Sequence, residues 1–218
     1  MVRWWQSLWV FGAIVLVLGL VLMLPLRLVT GDTGLTARAV SGCIWSGKLV
    51  AAQWRGADLG DLAVGLQPLA LLTGRLRMGF DGPNLRGIAG PEGVSALSGH
   101  VAVAGATPLP ITSVGFDDVE IAFAGGTCTA ARGQINVAGT GVLGDSGGFS
   151  GAPRCESGAL LLPLAAGSSR IDLRFDGNGA WRGVIAVNGV TESARPGLLG
   201  AGFAPTPQGL AMTLEGQL

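Results

Sequence analysis

The chain has no tyrosine, one histidine (His100), one lysine (Lys48) and only 13% charged residues in a length of 218. Each scarcity removes a class of function. A single His cannot supply a His-based zinc site, and a Ser-His-Asp triad built on it would need a serine on a strained elbow. The one lysine falls on a segment that reads as strand, and no Gly-rich phosphate loop leads into it. Fourteen basic residues balance fourteen acidic ones, so no field of one sign draws in nucleic acid, and none is expected as a partner. Thirteen of the fourteen bases are Arg, yet they are scattered and form no cluster for bidentate anion pairing. Convincing amphipathic helices are also missing; only short turns near Pro68–Leu72 and Pro196–Leu199 have helical character.

What is abundant is glycine, 38 residues, which suits tight turns and close backbone approach rather than long helices. The N-terminus is equally distinctive. From Leu8 to Leu24, "LWVFGAIVLVLGLVLML" carries no charge, and about 20 such residues span a bilayer as a helix. Gly12 and Gly19 are tolerated there, and Trp4, Trp5 and Trp9 suit the headgroup level. Arg3 and the free amine mark the near side as cytoplasmic, against Arg27 and Arg38 beyond the run. A cleavable signal peptide is the rival reading, but its apolar core is usually about 7 to 15 residues, and the tidy cleavage triplet Ala37-Arg38-Ala39 lies far downstream. The expectation is residues 1–30 as cytoplasmic tip and transmembrane anchor, with 31–218 exported as a β-rich domain.

Cysteine use fits export. Cys128 and Cys155 enclose a Gly-rich stretch, belong to no CxxC or Cys/His spacing, and form a natural disulfide pair in an oxidising compartment. Cys43 is left over and reads as a small buried residue rather than a reactive thiol.

Period-two alternation recurs after residue 35. In "RIDLRFDG", Arg170, Asp172, Arg174 and Asp176 face one way and Ile171, Leu173 and Phe175 the other, which makes a half-buried strand. The same pattern puts Leu62, Val64 and Leu66 inward in "DLAVGLQ", Leu76, Met78 and Phe80 in "GRLRMGFDG", Val119, Ile121 and Phe123 in "DVEIAF", and Leu210, Met212 and Leu214 in "LAMTLEG". Turn signals such as "DGPN", "GNG" and "GGT" lie between. One-sided strands imply antiparallel pairing with one face wet. A self-comparison is sharper still: "LQPLALLTGRLRMGFDG" from Leu66 matches "LLPLAAGSSRIDLRFDG" from Leu161 at a constant offset. Arg86-Gly87-Ile88 then matches Arg182-Gly183-Val184 after one inserted residue. The expected unit is a strand, a Pro-initiated turn and a hairpin tipped by Phe-Asp-Gly, giving two repeats over 38–110 and 130–218 that join in one sheet.

Three local signatures invite chemistry and do not sustain it. "GDSGG" at Gly144 to Gly148 is the active-serine sequence of trypsin-like proteases, but no matching His and Asp settings accompany it, so it reads as a Gly-rich hairpin loop. Asp117-Asp118 would point to opposite faces of a strand and reads as a turn. "DGNG" lacks the distal Glu of a calcium loop and reads as a turn too. No catalytic residue, metal site or cofactor is expected.

Several stretches in order carry a family likeness. They are the N-terminal span ending in Leu-Pro, the element Val40, Gly42, Trp45, Gly47, then "LQPLALLTGRL", "GGTCTAARGQI" with Cys128, "FSGAPRCESGALLLPL" with Cys155, and the tail "LLGAGFAPTPQGLAMTLEGQL". Together they resemble protein N of bacterial type II secretion systems, the GspN family. The resemblance implies a single-pass inner-membrane protein with a periplasmic C-terminal domain, mainly β and formed as an antiparallel, internally duplicated curled sheet or groove. Its implied task is assembly or stabilisation of the secretion platform, with other type II secretion components as partners in the inner membrane and periplasm, and inner-membrane lipid through the anchor. The opening element then becomes a hairpin in which Gly42 and Gly47 permit close backbone approach and Trp45 caps the core edge. Gly42, Trp45, Gly47, Gly202 and Phe203 are the candidate structural or interface residues. A periplasmic lipid-handling β-groove of the AsmA and TamB type is the alternative, to be recognised by a continuous exposed apolar inner face.

Overall fold

The computed structural model describes residues 19, 26, 34–54, 57–103, 111–139, 148–190 and 192–217. The proposed anchor and most of "GDSGG" lie outside them. Among the described residues no helix is long and apolar enough to cross a membrane.

Among the described residues sixteen strands and two helical turns follow one another: Leu35–Thr36 (β1), Ala39–Cys43 (β2), Ser46–Trp54 (β3), Ala57–Leu66 (β4), Pro68–Leu72 (α1), Met78–Asp81 (β5), Leu85–Gly90 (β6), Gly93–Val103 (β7), Ile111–Ala124 (β8), Thr127–Gly139 (β9), Phe149–Gly151 (β10), Arg154–Glu156 (β11), Ala159–Ala166 (β12), Ser169–Phe175 (β13), Ala180–Asn188 (β14), Arg195–Gly200 (α2), Ala204–Thr206 (β15) and Gly209–Gln217 (β16). All strands belong to one sheet, nearly in chain order, and no pairing joins its two ends among the described residues. Every pairing is antiparallel, as in β12–β13, β13–β14 and β14–β16. Both short turns flagged by proline are helical, with Pro at the start, where its missing N–H costs no hydrogen bond.

The alternation puts apolar side chains on one face throughout. Leu49 pairs with Leu62 and Val64 with Phe80. Further along, Val137 pairs with Phe149, Leu164 with Ile171, Ile171 with Ile185, and Ile185 with Met212. Facing partners of an antiparallel pair share a face, so these residues form a continuous inner surface. It condenses into two cores, one around Leu26, Leu49, Ala52, Leu62 and Val64, the other running from Val119 through Phe149, Leu164 and Ile171 to Ile185 and Val187. Phe80, packed on the first core, and Leu97, packed on the second, both lie over Gly87, where a methyl group would be 2.9 Å from the Phe80 ring and 3.3 Å from Leu97.

The register is interrupted at one level across neighbouring strands: between Arg86 and Ile88 on β6, Val94 and Gly99 on β7, and Asp117 and Glu120 on β8. These bulges bring Ala96 and Asp118 to φ of 51° and 45°. They are the two extra residues, one on β7 and one on β8; each bends its strand, and side by side they crease the sheet. Asp117 and Asp118 therefore lie inside β8 and not in a turn, and the Asp118 N–H donates to Ser98 Oγ at 3.2 Å. Opposite the extra residue stands Gly133 at φ 102°, where an added Cβ would be 2.6 Å from Asp118 O and Val119 Cα. Val119, at the crease, is fully buried.

The aligned segments diverge before they converge. In the first, Pro68 starts α1, strand β5 begins only at Met78, and Leu76 is exposed instead of facing inward. In the second, Pro163 sits inside β12, so no Pro-initiated turn forms there. The reason is local: β12 pairs with β10 through Ala165 and with β11 through Leu161, leaving Pro163 beside the break between those short strands, where no ladder bond from its nitrogen is required. Both segments then enter a hairpin. Phe80 pairs with Gly87, whereas Phe175 pairs with Trp181 and Leu173 with Gly183. The register thus differs by an even step, which keeps the apolar set on the same face.

Gly133→Ala should lower the stability of the full chain by about 3 kcal/mol, as expected where backbone strain and a steric clash combine. Gly167→Ala, at φ 56° with nothing within 4 Å of the added carbon, should cost only about 1 kcal/mol. Denaturant midpoints in detergent would compare them.

Candidate functional site

The strands end in two sets of turns. One end gathers the Ile44–Trp45 turn, α1 with the following loop, the Pro91–Glu92 turn, the start of β9 and the end of β16. Its construction begins with the β2–β3 hairpin, in which Cys43 faces Ser46 and Gly42 faces Gly47. Gly42 adopts φ 89°, and a side chain there would fall on the Ser46 carbonyl; at Gly47 it would be 2.6 Å from Leu26 Cδ2. Both glycines therefore serve close approach, the second by admitting Leu26 into the core.

Trp45 is half-buried rather than enclosed. It lines an open cleft of about 320 Å³ with Gly47, Gly65, Phe80 and Gly87, and its carbonyl lies where a side chain at residue 65 would go, 2.5 Å from that Cβ position. Ile44, beside it, is buried and accepts a hydrogen bond from the Leu66 N–H at 2.9 Å. Cys43, partly buried, is a free thiol whose Sγ lies 3.9 Å from Ser46 O.

Cys128 and Cys155 form a disulfide. It ties the start of β9 to β11, beside a backbone bond from the Cys128 N–H to Gly158 O at 2.8 Å. Gly202 and Phe203 lie after α2, where the Gly202 N–H donates to Leu199 O and the Phe203 N–H to Leu198 O, each at 3.1 Å. Gly202 supplies the φ of 96° that ends the helix, while Phe203 packs against the larger core. Phe203 is thus a core-packing side chain, set apart from Gly42, Trp45 and Gly47.

His100 is exposed on β7, and Asp176–Gly179 forms the turn expected of "DGNG", with Ala180 N–H donating to Asn178 Oδ1 at 2.9 Å. Among the described residues no three His, Cys, Asp or Glu side chains gather to hold a metal. The charges are engaged in exposed pairs instead: Arg170 with Asp172, Arg174 with Asp176, Arg182 with Glu215, Glu120 with Arg132. Such pairs contribute little stability and mark the wet face. The dry face is closed at the centre of the larger core: Ile171 is 3% exposed, Ile185 1% and Leu164 2%.

Two features were not singled out by sequence. The first is the outer edge of β16: β15 pairs only with Gly209, Leu210 and Ala211, and among the described residues no strand pairs with that edge from Met212 to Gln217. The second is a group of exposed leucines, Leu69, Leu71 and Leu76, in and after α1. A Pro-started turn of five residues is too short to bury both Leu69 and Leu71, and that signal was there to be read.

Replacing both Cys128 and Cys155 with Ala should cost about 3 kcal/mol of stability, the usual value for a loop of this size. Cys43→Ser should leave the denaturant midpoint nearly unchanged.

Compared with known proteins, residues 33–198 match the family model described as "Type II secretion system (T2SS), protein N". No curated protein and no solved structure matches the chain.

Proposed function

Because the chain belongs to the type II secretion system protein N family, we propose that it is a non-catalytic inner-membrane component of that machine, assisting platform assembly or stability through its exported sheet. Leu8 to Leu24 form the single-pass anchor in this reading, the C-terminal domain stands in the periplasm, and the partners are other components of the same machine.

The observation that carries the proposal is the unpaired outer edge of β16. An exposed edge presents a row of backbone N–H and C=O groups, and a partner's extended segment can add to it as a further strand. Alternate pockets beside such a strand would read its side chains, with Met212 and Leu214 on the dry side and Thr213 and Glu215 on the wet side. Anchoring in the same membrane raises the effective concentration of both partners, so a short edge is enough. The disulfide supports an oxidising location.

A photo-crosslinking amino acid at Thr213, on the open edge, should capture another component of the secretion machine in intact cells. The same group at Arg170, exposed in mid-sheet, should capture much less. Deleting the chain should reduce secretion of the folded cargo. Intact secretion on deletion, together with no capture at Thr213, would overturn the proposal.

A further inference from the structure

We propose that the loop from Pro68 to Arg77 is a membrane-surface contact, in which Leu69, Leu71 and Leu76 enter the outer boundary of the phospholipid bilayer while Arg75 and Arg77 reach its phosphates. The inference rests on the anchor reading above and adds an orientation to it.

The loop is built to project. Its base is closed where the Gln67 N–H donates to Arg77 O at 2.9 Å, next to the bond from Leu66 N–H to Ile44 O. Within it, the Gly74 N–H donates to Leu71 O and the Arg75 N–H to Ala70 O, both at 3.0 Å, and the Thr73 hydroxyl to Ala70 O at 2.8 Å. These bonds pair several of the loop's backbone N–H groups inside it, which lowers the cost of moving the neighbouring apolar side chains out of water. They are on offer: Leu69 is 77% exposed, Leu76 52% and Leu71 37%. Lone surface leucines are ordinary, but three in one short loop form a patch that calls for a cover.

Location names the cover. Leu26 is buried beside Gly47, adjoining the Ile44–Trp45 turn to which Leu66 is bonded. In sequence Leu26 stands two residues after the uncharged run that ends at Leu24. The segment that would leave the bilayer thus enters the domain at the end of the sheet that carries the leucines. The flanking charges suit the same neighbour. Arg75 and Arg77 bracket Leu76; the Arg75 Nε is 3.9 Å from Glu92, with both side chains more than half exposed, so that pair is loose, and Arg77 adds a second positive charge. Arg stems lie along apolar surface while their heads reach polar groups. Anchor and interfacial loop are then two contacts with one membrane, and together they fix the tilt that the anchor alone would leave free.

The test uses the full chain, with Cys43→Ser so that one introduced thiol can be labelled. An environment-sensitive fluorophore is placed at Leu69→Cys or Leu76→Cys, and at Arg170→Cys as control, and the protein is reconstituted into phosphatidylcholine–phosphatidylglycerol vesicles. Expected is a blue-shifted emission at 69 and 76, quenched by lipids spin-labelled near the headgroup more than by those labelled deep in the chain, in keeping with an insertion of about 5–10 Å; position 170 stays quenchable by aqueous iodide. Leu69→Ser/Leu71→Ser, which alters exposed side chains, should abolish the shift at 76. If the protein floats with the vesicles but 69 and 76 remain open to iodide, the loop inference fails and the anchor stands. If it does not float after salt and carbonate washing, the anchor reading fails and the inference with it. Protection from iodide without lipid quenching would mean that a second copy covers the patch, which also overturns the proposal.

Discussion

A sheet with one apolar face has to keep that face dry, and among the described residues this molecule has little besides the sheet with which to do it. The two helical turns are five and six residues long, too small to cover fourteen strands in a row. The remaining means is curvature. Bulges side by side on β7 and β8 bend the strands together, and Val119 at the crease is fully buried. Glycine is the local condition: Gly133 faces the inserted residue, and Gly87 leaves room for Phe80 and Leu97 to meet across the two cores.

The same constraint explains the distribution of charge. With the inner face reserved for aliphatic and aromatic residues, charged groups fall on the other face, where alternation along β13 lines up Arg170, Asp172 and Arg174. Acid stands beside base there: Arg170 with Asp172, Arg174 with Asp176 and Arg182 with Glu215. The wet face therefore carries both signs side by side, while the open backbone edge of β16 and the apolar loop after α1 offer contacts of another kind.

Much of this was legible beforehand. The inward sets Leu62, Val64 and Ile171, Leu173 and Leu210, Met212, Leu214 follow from period two alone, and the Cys128–Cys155 pair from compartment and spacing. The crease was not, because a bulge breaks the alternation that makes strands readable: Asp117-Asp118 looked like a turn when it is a strand with one residue too many. Pro163 misled for a tertiary reason, since only the gap between β10 and β11 makes a proline acceptable in β12. Leu76 misled because the pattern ran two residues beyond the strand that generated it. Edges and exposed loops have no period at all, so β16's open side and the α1 leucines are visible only in the strand pairing and the exposed surface of the folded chain.

The order of the sheet carries one more consequence, in time rather than space. Nearly every strand lies beside one that precedes it closely in sequence, so its partner is already present when it appears. A chain threaded through an export channel from its N-terminus can zip strand by strand, with low loop-closure entropy at each step. Until the last strand arrives, the growing edge is always covered by the next segment of the same polypeptide. Only β16 has no successor to cover Met212 to Gln217 among the described residues. That edge therefore forms after the strands before it are in place, and a chain emerged only as far as β14 would not present it.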